Sequence, residues 1–175
     1  MLNIVLHQPE IPFNTGAIGR TCVATGSALH LIYPLGFIIN DKYVKRAGMD
    51  YWPKLGLHEY NDYEDFMEQY SELNYNGEGQ ANGPKLWFAT TKARQCYSDV
   101  KFGPDDYIMF GKESAGIPEE ILVEHPGACI RIPMLDETRS LNLSNSVAIV
   151  LYEALRQNDF LNLNEKGNLH RLSWD

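Results

Sequence analysis

Short apolar, β-rich runs alternate with helix-like stretches along this chain, and proline or glycine closes most of the runs. Leu2–Leu6 (LNIVL) reads as a first buried strand, closed by Pro9 and Pro12. Asn14 stands where a helix N-cap is wanted, and Thr15–Thr25 follows as a helix. Leu29–Tyr33 reads as a second strand, ended by Pro34 and Gly36. Asp41–Ala47 reads as a short basic helix. Asp62–Tyr70 reads as an acidic helix whose apolar side is Tyr63, Phe66 and Met67. Asn74–Pro84 is a Gly/Asn-rich loop, expected to be mobile. Lys85–Thr90 and Asp106–Phe110 are expected strands, followed by a short helix near Pro118, with proline at an early helical position. Cys129–Ile132 is a further strand. Ser144–Gln157 is the clearest helix, with Val147, Val150, Leu151 and Ala154 on one face. The tail beyond Asn158 is polar and weakly patterned.

Strands separated by helices imply an α/β fold: a parallel sheet with helices on both faces. The length of 175 residues fits one domain, expected over 1–157, with 158–175 as a C-terminal tail. At 44% hydrophobic and 22% charged residues the chain can bury a core. Ligands of such sheets sit beyond the carboxyl ends of the strands. The loops that matter are therefore Gln8–Gly16, Thr90–Arg94, Gly111–Pro118 and Pro133–Asn142.

The net charge of −8 argues at first against a nucleic-acid partner. That charge is mostly local. Residues 59–79 carry seven acids (Glu59, Asp62, Glu64, Asp65, Glu68, Glu72 and Glu78) and no Lys or Arg, so the rest of the chain is near neutral. Residues 42–54 carry Lys42, Lys45, Arg46 and Lys54 against Asp50 alone, and local potential matters more than the total. Three cysteines without a CxxC pair suit a reducing compartment. The N-terminus has no signal-peptide pattern, and no apolar run approaches the ~18 residues of a membrane span. The expectation is a soluble cytoplasmic protein with no membrane contact.

Missing motifs narrow the chemistry. There is no GxGxxG, HExxH or GxSxG. Gly111 and Gly116 have P-loop spacing, but Ile117 and Pro118 stand where Lys and Ser/Thr are required. The five histidines are scattered, and no metal is expected. Three segments remain. Pro12–Arg20 (PFNTGAIGR) places Asn14 and Arg20 nearly two helical turns apart, so that both can face the strand ends; a cap plus a surface arginine is the plainer alternative. In Gly111–Pro118 (GKESAGIP) two glycines flank a lone Glu113, which suggests a close backbone approach to a ligand or a surface turn. Ile132–Ser146 carries Arg139, Ser140, Asn142, Ser144 and Asn145 at the entrance of an apolar helix, where Ser144 or Asn142 could be the cap. Singly, capping explains the third segment; together, the three favour a pocket.

NTGAIGR, FGKESAG and IPMLDETRSLNLSNSVAIVLYEALRQ resemble the three signature regions of the SPOUT methyltransferases. More narrowly, LNIVLxxPEIPxNTG and RAGxDY (Arg46–Tyr51) are similar to the TrmL (YibK) family of tRNA 2′-O-methyltransferases, collinearly over about residues 1–157. The resemblance implies a C-terminal trefoil knot, in which the chain after Ile132 threads an earlier loop. It also implies a homodimer that uses S-adenosylmethionine to methylate the ribose 2′-OH of wobble nucleotide 34 in leucine tRNAs, releasing S-adenosylhomocysteine. Carried over by position, Thr90, Gly111, Ile132, Ser140 and Leu141 are the expected cofactor contacts. Arg20 matches the family's catalytic arginine, and Asn14, Glu113 and Asn142 match its polar active-site positions. Tyr152 is expected near the cofactor or across the dimer. Lys42, Lys45, Arg46 and Arg139 would hold the phosphates of the tRNA anticodon stem-loop. Ser71–Pro84 looks like an insertion, and Thr90 stands where the family often has an aliphatic residue. The alternatives are a 2′-O-methyltransferase for another tRNA position or for rRNA, and a catalytically idle RNA-binding dimer.

Overall fold

The computed structural model describes residues 1–39, 51–71, 73 and 83–174. The expected helix Asp41–Ala47, most of the Asn74–Pro84 loop, and Lys42, Lys45 and Arg46 lie outside the described residues. In chain order the elements are β1 (Asn3–His7), α1 (Pro12–Thr25), β2 (Ala28–Ile32), a 3₁₀ turn (Trp52–Lys54), β3 (Leu57–Tyr60) and α2 (Tyr63–Gln69). Then come β4 (Leu86–Ala89), β5 (Gln95–Cys96), β6 (Tyr107–Phe110), α3 (Glu119–Glu124), a second 3₁₀ turn (Pro126–Ala128), β7 (Cys129–Arg131) and α4 (Leu143–Gln157). The seven strands form one sheet in the order β3-β2-β1-β6-β4-β7-β5, and every pairing is parallel.

β1 and β2 are buried at every position, so both faces of the sheet are covered there. Apolar runs such as IVL, and LHLI interrupted only by His30, are the sequence form of that burial. On α4, Val147, Val150, Leu151 and Ala154 are fully buried, as their spacing predicts. Each large aliphatic side chain among them contributes about 1.5–3 kcal/mol by leaving water. On α2, Phe66 is buried, with Tyr63 and Met67 packed beside it.

Several sequence expectations change. Asn14 does not cap α1: the helix starts three residues earlier than expected, at Pro12, with Ile11 as N-cap. Proline at the first helical position has no N–H to satisfy and its φ is already helical, so it moves the start upstream. Of the two candidate caps of α4, Asn142 takes the role, its Oδ1 accepting from the N–H groups of Ser144 and Asn145. β3 and β5 were not expected. Both are short edge strands, and their polar members (His58, Glu59, Gln95) hide the strand pattern. The residues after α4 are not wholly unanchored, since Phe160 and Leu163 pack against the core.

At the amino ends of the central strands the structure builds a closed polar network. Asp106 is only 2% exposed, and its carboxylate accepts from Lys85 N–H (2.9 Å), Trp87 Nε1–H (2.8 Å) and Gly103 N–H (2.9 Å). Nearby on β2, His30 is buried with Nδ1 at 2.8 Å from the Tyr60 hydroxyl and Nε2 at 3.2 Å from Asn3 Oδ1. Its ring stacks on His58. Burial, with a smaller contribution from His58, pushes the His30 pKa down to about 3.

Candidate active site

Parallel strands put all their carboxyl ends on one edge, and register sets which residues meet there. Ala89 of β4 is the partner of both Phe110 of β6 and Ile130 of β7. The residues that follow, Thr90, Gly111 and Arg131, therefore stand side by side at the carboxyl edge of the sheet. Together with the segment 139–143 they surround a cavity of about 570 Å³. That volume lies within the range of small-molecule sites.

The loop after β6 is held by its glycines. A Cβ on Gly111 would stand 2.0 Å from the Gly116 carbonyl carbon and 2.1 Å from the Ile117 nitrogen. Gly116 has φ +74°, and its N–H donates to the Lys112 carbonyl at 2.8 Å. The close backbone approach expected at these glycines is thus made first by the loop to itself, which folds tightly and presents Lys112, Glu113 and Ser114.

Three distant segments are then tied together by carboxylates and amides. Glu113 accepts from Glu10 N–H (2.8 Å), Ile11 N–H (3.2 Å) and Asn14 Nδ2 (2.9 Å). Its carboxylate stands against the backbone just before α1, where the helix dipole favours a negative charge. Glu10 answers by accepting from the Ser114 N–H and hydroxyl, both at 2.9 Å, and these bonds hold its pKa below the usual carboxylate value. Asn14 in turn accepts from Asn142 Nδ2 at 3.0 Å, and Asn142 caps α4. Glu113, Asn14 and Asn142 thus form one hydrogen-bonded row along the cavity.

Nine of the site residues expected from sequence line this one cavity: Asn14, Thr90, Gly111, Glu113, Ile132, Arg139, Ser140, Leu141 and Asn142. Arg20 does not. Six residues along a helix amount to about 600°, which leaves Arg20 roughly 120° round from Asn14 and ~9 Å further along the axis. The expectation that both side chains face the strand ends is corrected on that ground. Arg20 is exposed, with its guanidinium 5.1 Å from the centre of the Tyr51 ring. Sequence reasoning assigned no role to Lys92, Lys112, Arg131, Glu10 or Ser114, all of which belong to the site or its clasp. Their only signal was position, at the end of a strand or in the loop that follows one.

Among the described lining residues Glu113 is the sole acid, against Lys92, Lys112, Arg131 and Arg139. Lys92 is paired with Glu119 at 2.8 Å. Beneath the loops His7 is buried at the end of β1, its Nδ1 without a hydrogen-bond partner among the described residues. Burial and, secondarily, the nearby Lys112 push its pKa down, favouring the neutral ring. Among the described residues no group of His, Cys, Asp and Glu is arranged to hold a metal ion. The site offers backbone edges, small polar groups and an excess of positive charge. It can hold a ligand with apolar and carboxylate parts beside an anionic polymer.

Fold and site together define a parallel α/β protein whose ligand cavity is built from the loops after β4, β6 and β7. The model of the SpoU rRNA Methylase family matches residues 1–152, and the chain belongs to that family. A tRNA (cytidine(34)-2′-O)-methyltransferase of Photorhabdus asymbiotica is 48% identical over 158 residues, covering 90% of this chain and 94% of that protein. A structure described as giving insights into the 2-OH methylation of C/U34 on tRNA aligns with TM-score 0.79 at 40% identity, over 91% of this chain and 97% of its own. An AdoMet-bound rRNA methyltransferase of Sinorhizobium meliloti aligns with TM-score 0.73 at 25% identity, over 89% of this chain and 56% of its own. The family resemblance read from the three motifs is borne out.

Proposed function

We propose that this chain is a tRNA (cytidine/uridine(34)-2′-O)-methyltransferase, acting in the cytoplasm on the wobble ribose of leucine tRNAs. The observation that carries the reading is the convergence of the three motif segments on one cavity, joined by the Glu113–Asn14–Asn142 row. S-adenosylmethionine fits that cavity, and when bound it supplies an electrophilic methyl group on a sulfonium. Thr90, Gly111, Ile132, Ser140 and Leu141 would hold it, largely through their backbone. Positive lining side chains suit its carboxylate, and Glu113, already fixed by three donors, is the one acidic side chain on the wall.

Methyl transfer to an alcohol is an in-line displacement, so orientation of the ribose is the first task, and alignment contributes up to roughly 7–11 kcal/mol. Asn14 and Asn142 present amides at the edge of the cavity for that purpose. Arg20, standing outside the cavity, suits the RNA rather than the cofactor. Its guanidinium donates hydrogen bonds to the developing alkoxide or to a neighbouring phosphate. A guanidinium pKa above ~12 makes this role easier than that of a base. Arg139 at the cavity, with Lys42, Lys45 and Arg46, would position the anticodon stem-loop through phosphates.

The chain is read as one methyltransferase domain over 1–157 with a tail over 158–175. The C-terminal trefoil knot is part of the proposal; β7 lying between β4 and β5, followed by a segment that returns to the cavity, supports it. So is the homodimer, supported by exposed Ile11, Phe13, Ile149 and Tyr152 on or beside α1 and α4. The three cysteines are free, as suits a reducing compartment, and no helix among the described residues is long and apolar enough to cross a membrane.

The test is to incubate the protein with S-adenosylmethionine and total tRNA lacking wobble ribose methylation, then analyse nucleosides by mass spectrometry. A new 2′-O-methylcytidine or 2′-O-methyluridine derivative at position 34 of leucine tRNAs is expected. Methylation at another RNA position would move the substrate, and cofactor binding without transfer to any RNA would refute the enzymatic reading.

A further inference from the structure

α1 carries glycines at 16 and 19, in the interior of a helix where alanine would be more stable. Gly19 has a visible reason. A Cβ there would stand 3.1 Å from the Trp52 ring and 3.3 Å from Leu55. The segment 51–55 therefore lies directly on the glycine face of α1. Tyr51, half-buried, leads that segment. Its hydroxyl donates to the Gly16 carbonyl at 2.5 Å, and its ring lies 5.1 Å from the Arg20 guanidinium. In an α-helix the carbonyl of residue 16 also accepts from the N–H of residue 20. The tyrosine is thus anchored to the very turn that bears Arg20. One end of the ring fixes it to the helix, and its π-system attracts the cation. An exposed arginine has many rotamers, and a ring held in this way narrows them.

We propose that Tyr51 is the positioning residue for Arg20 in methyl transfer, holding the guanidinium where the ribose or its phosphate will meet it. This inference rests on the reading that Arg20 serves the reaction. Tyr51 does not line the cofactor cavity, so its effect belongs in turnover and not in cofactor affinity.

The test compares single-turnover methyl transfer at saturating tRNA and S-adenosylmethionine in Tyr51→Leu and Tyr51→Phe, with cofactor Kd by calorimetry and Tm alongside. Tyr51→Leu is expected to slow transfer by about tenfold, the scale of a small misplacement, with cofactor Kd unchanged. Tyr51→Phe keeps the ring over Arg20 but loses the anchoring hydroxyl, and is expected to recover part of the rate, between the leucine variant and wild type. In an Arg20→Lys background, which lacks the planar fork, Tyr51→Leu is expected to add less than about twofold. If the leucine variant does not fold, Tyr51→Met provides the same comparison. Wild-type rates in Tyr51→Leu, or the same tenfold loss in both backgrounds, would overturn the inference. If Arg20→Ala itself keeps the wild-type rate, the role of Arg20 has failed and the proposal for Tyr51 falls with it.

Discussion

The two ends of the sheet solve the same problem in opposite ways. Each gathers polar groups around a carboxylate that accepts three hydrogen bonds. At the amino ends, Asp106 is enclosed, and its three donors leave nothing facing outward. At the carboxyl ends, Glu113 also takes three donors, yet it lies on the wall of an open cavity with Asn14 and Asn142 beside it. A closed network contributes to stability. An open one holds groups in place for a ligand, so disrupting it should alter activity more than folding.

The largest expected effect tests the closed end. Asp106→Ala strands three donors and should cost about 3 kcal/mol, lowering Tm by roughly 6–12 °C. Methyl transfer by the protein still folded at 25 °C should be unchanged. Loss of activity without loss of stability, measured by denaturation and turnover, would erase the contrast.

Glu113→Gln tests the open end. The amide cannot accept from three donors as a carboxylate does, and the row to Asn14 shifts. Turnover should fall by roughly 10²-fold, while stability changes by about 1 kcal/mol. A large fall in stability with normal turnover would make Glu113 a second Asp106.

Acid should act first on the closed end. His30 is neutral in the fold, with a pKa of about 3 against its ordinary 6.5. As the pH falls from 6.5 toward 3, the unfolded chain takes up a proton that the folded ring refuses. Stability should therefore decline by about 1.4 kcal/mol per pH unit, or roughly 2 kcal/mol at pH 5. Urea titrations of wild type and His30→Gln at pH 7 and pH 5 check this: the variant should lose the share of the slope due to His30 and keep that of His7 and His125, whose burial also lowers their pKa.

The smallest effect falls where the two roles overlap. Asn142 caps α4 and also reaches Asn14. Asn142→Ala should cost about 1 kcal/mol for the cap. Asn142→Ser restores a cap but cannot span to Asn14, so it should recover stability without recovering turnover.

Much of this was legible in the sequence because it is local. Strand and helix periodicity gave the principal elements, and the rule that ligands sit past strand ends picked out the loops at Thr90, Gly111 and 139–142. Edge strands β3 and β5 escaped because they are short and polar. Asn14 resembles a cap because Pro12 can end a strand as well as begin a helix, and the sequence alone does not separate the two.

Tertiary structure alone decided the partners. Spacing along the chain does not reveal that Glu113 would accept from backbone just before a helix about a hundred residues earlier, nor that Asn142 would reach Asn14 across 128 residues. Strand order and register set those meetings. Tertiary packing also laid Tyr51 against Arg20. Periodicity is a property of neighbours in sequence, whereas a buried polar group takes whichever partner the packed sheet brings within hydrogen-bonding distance.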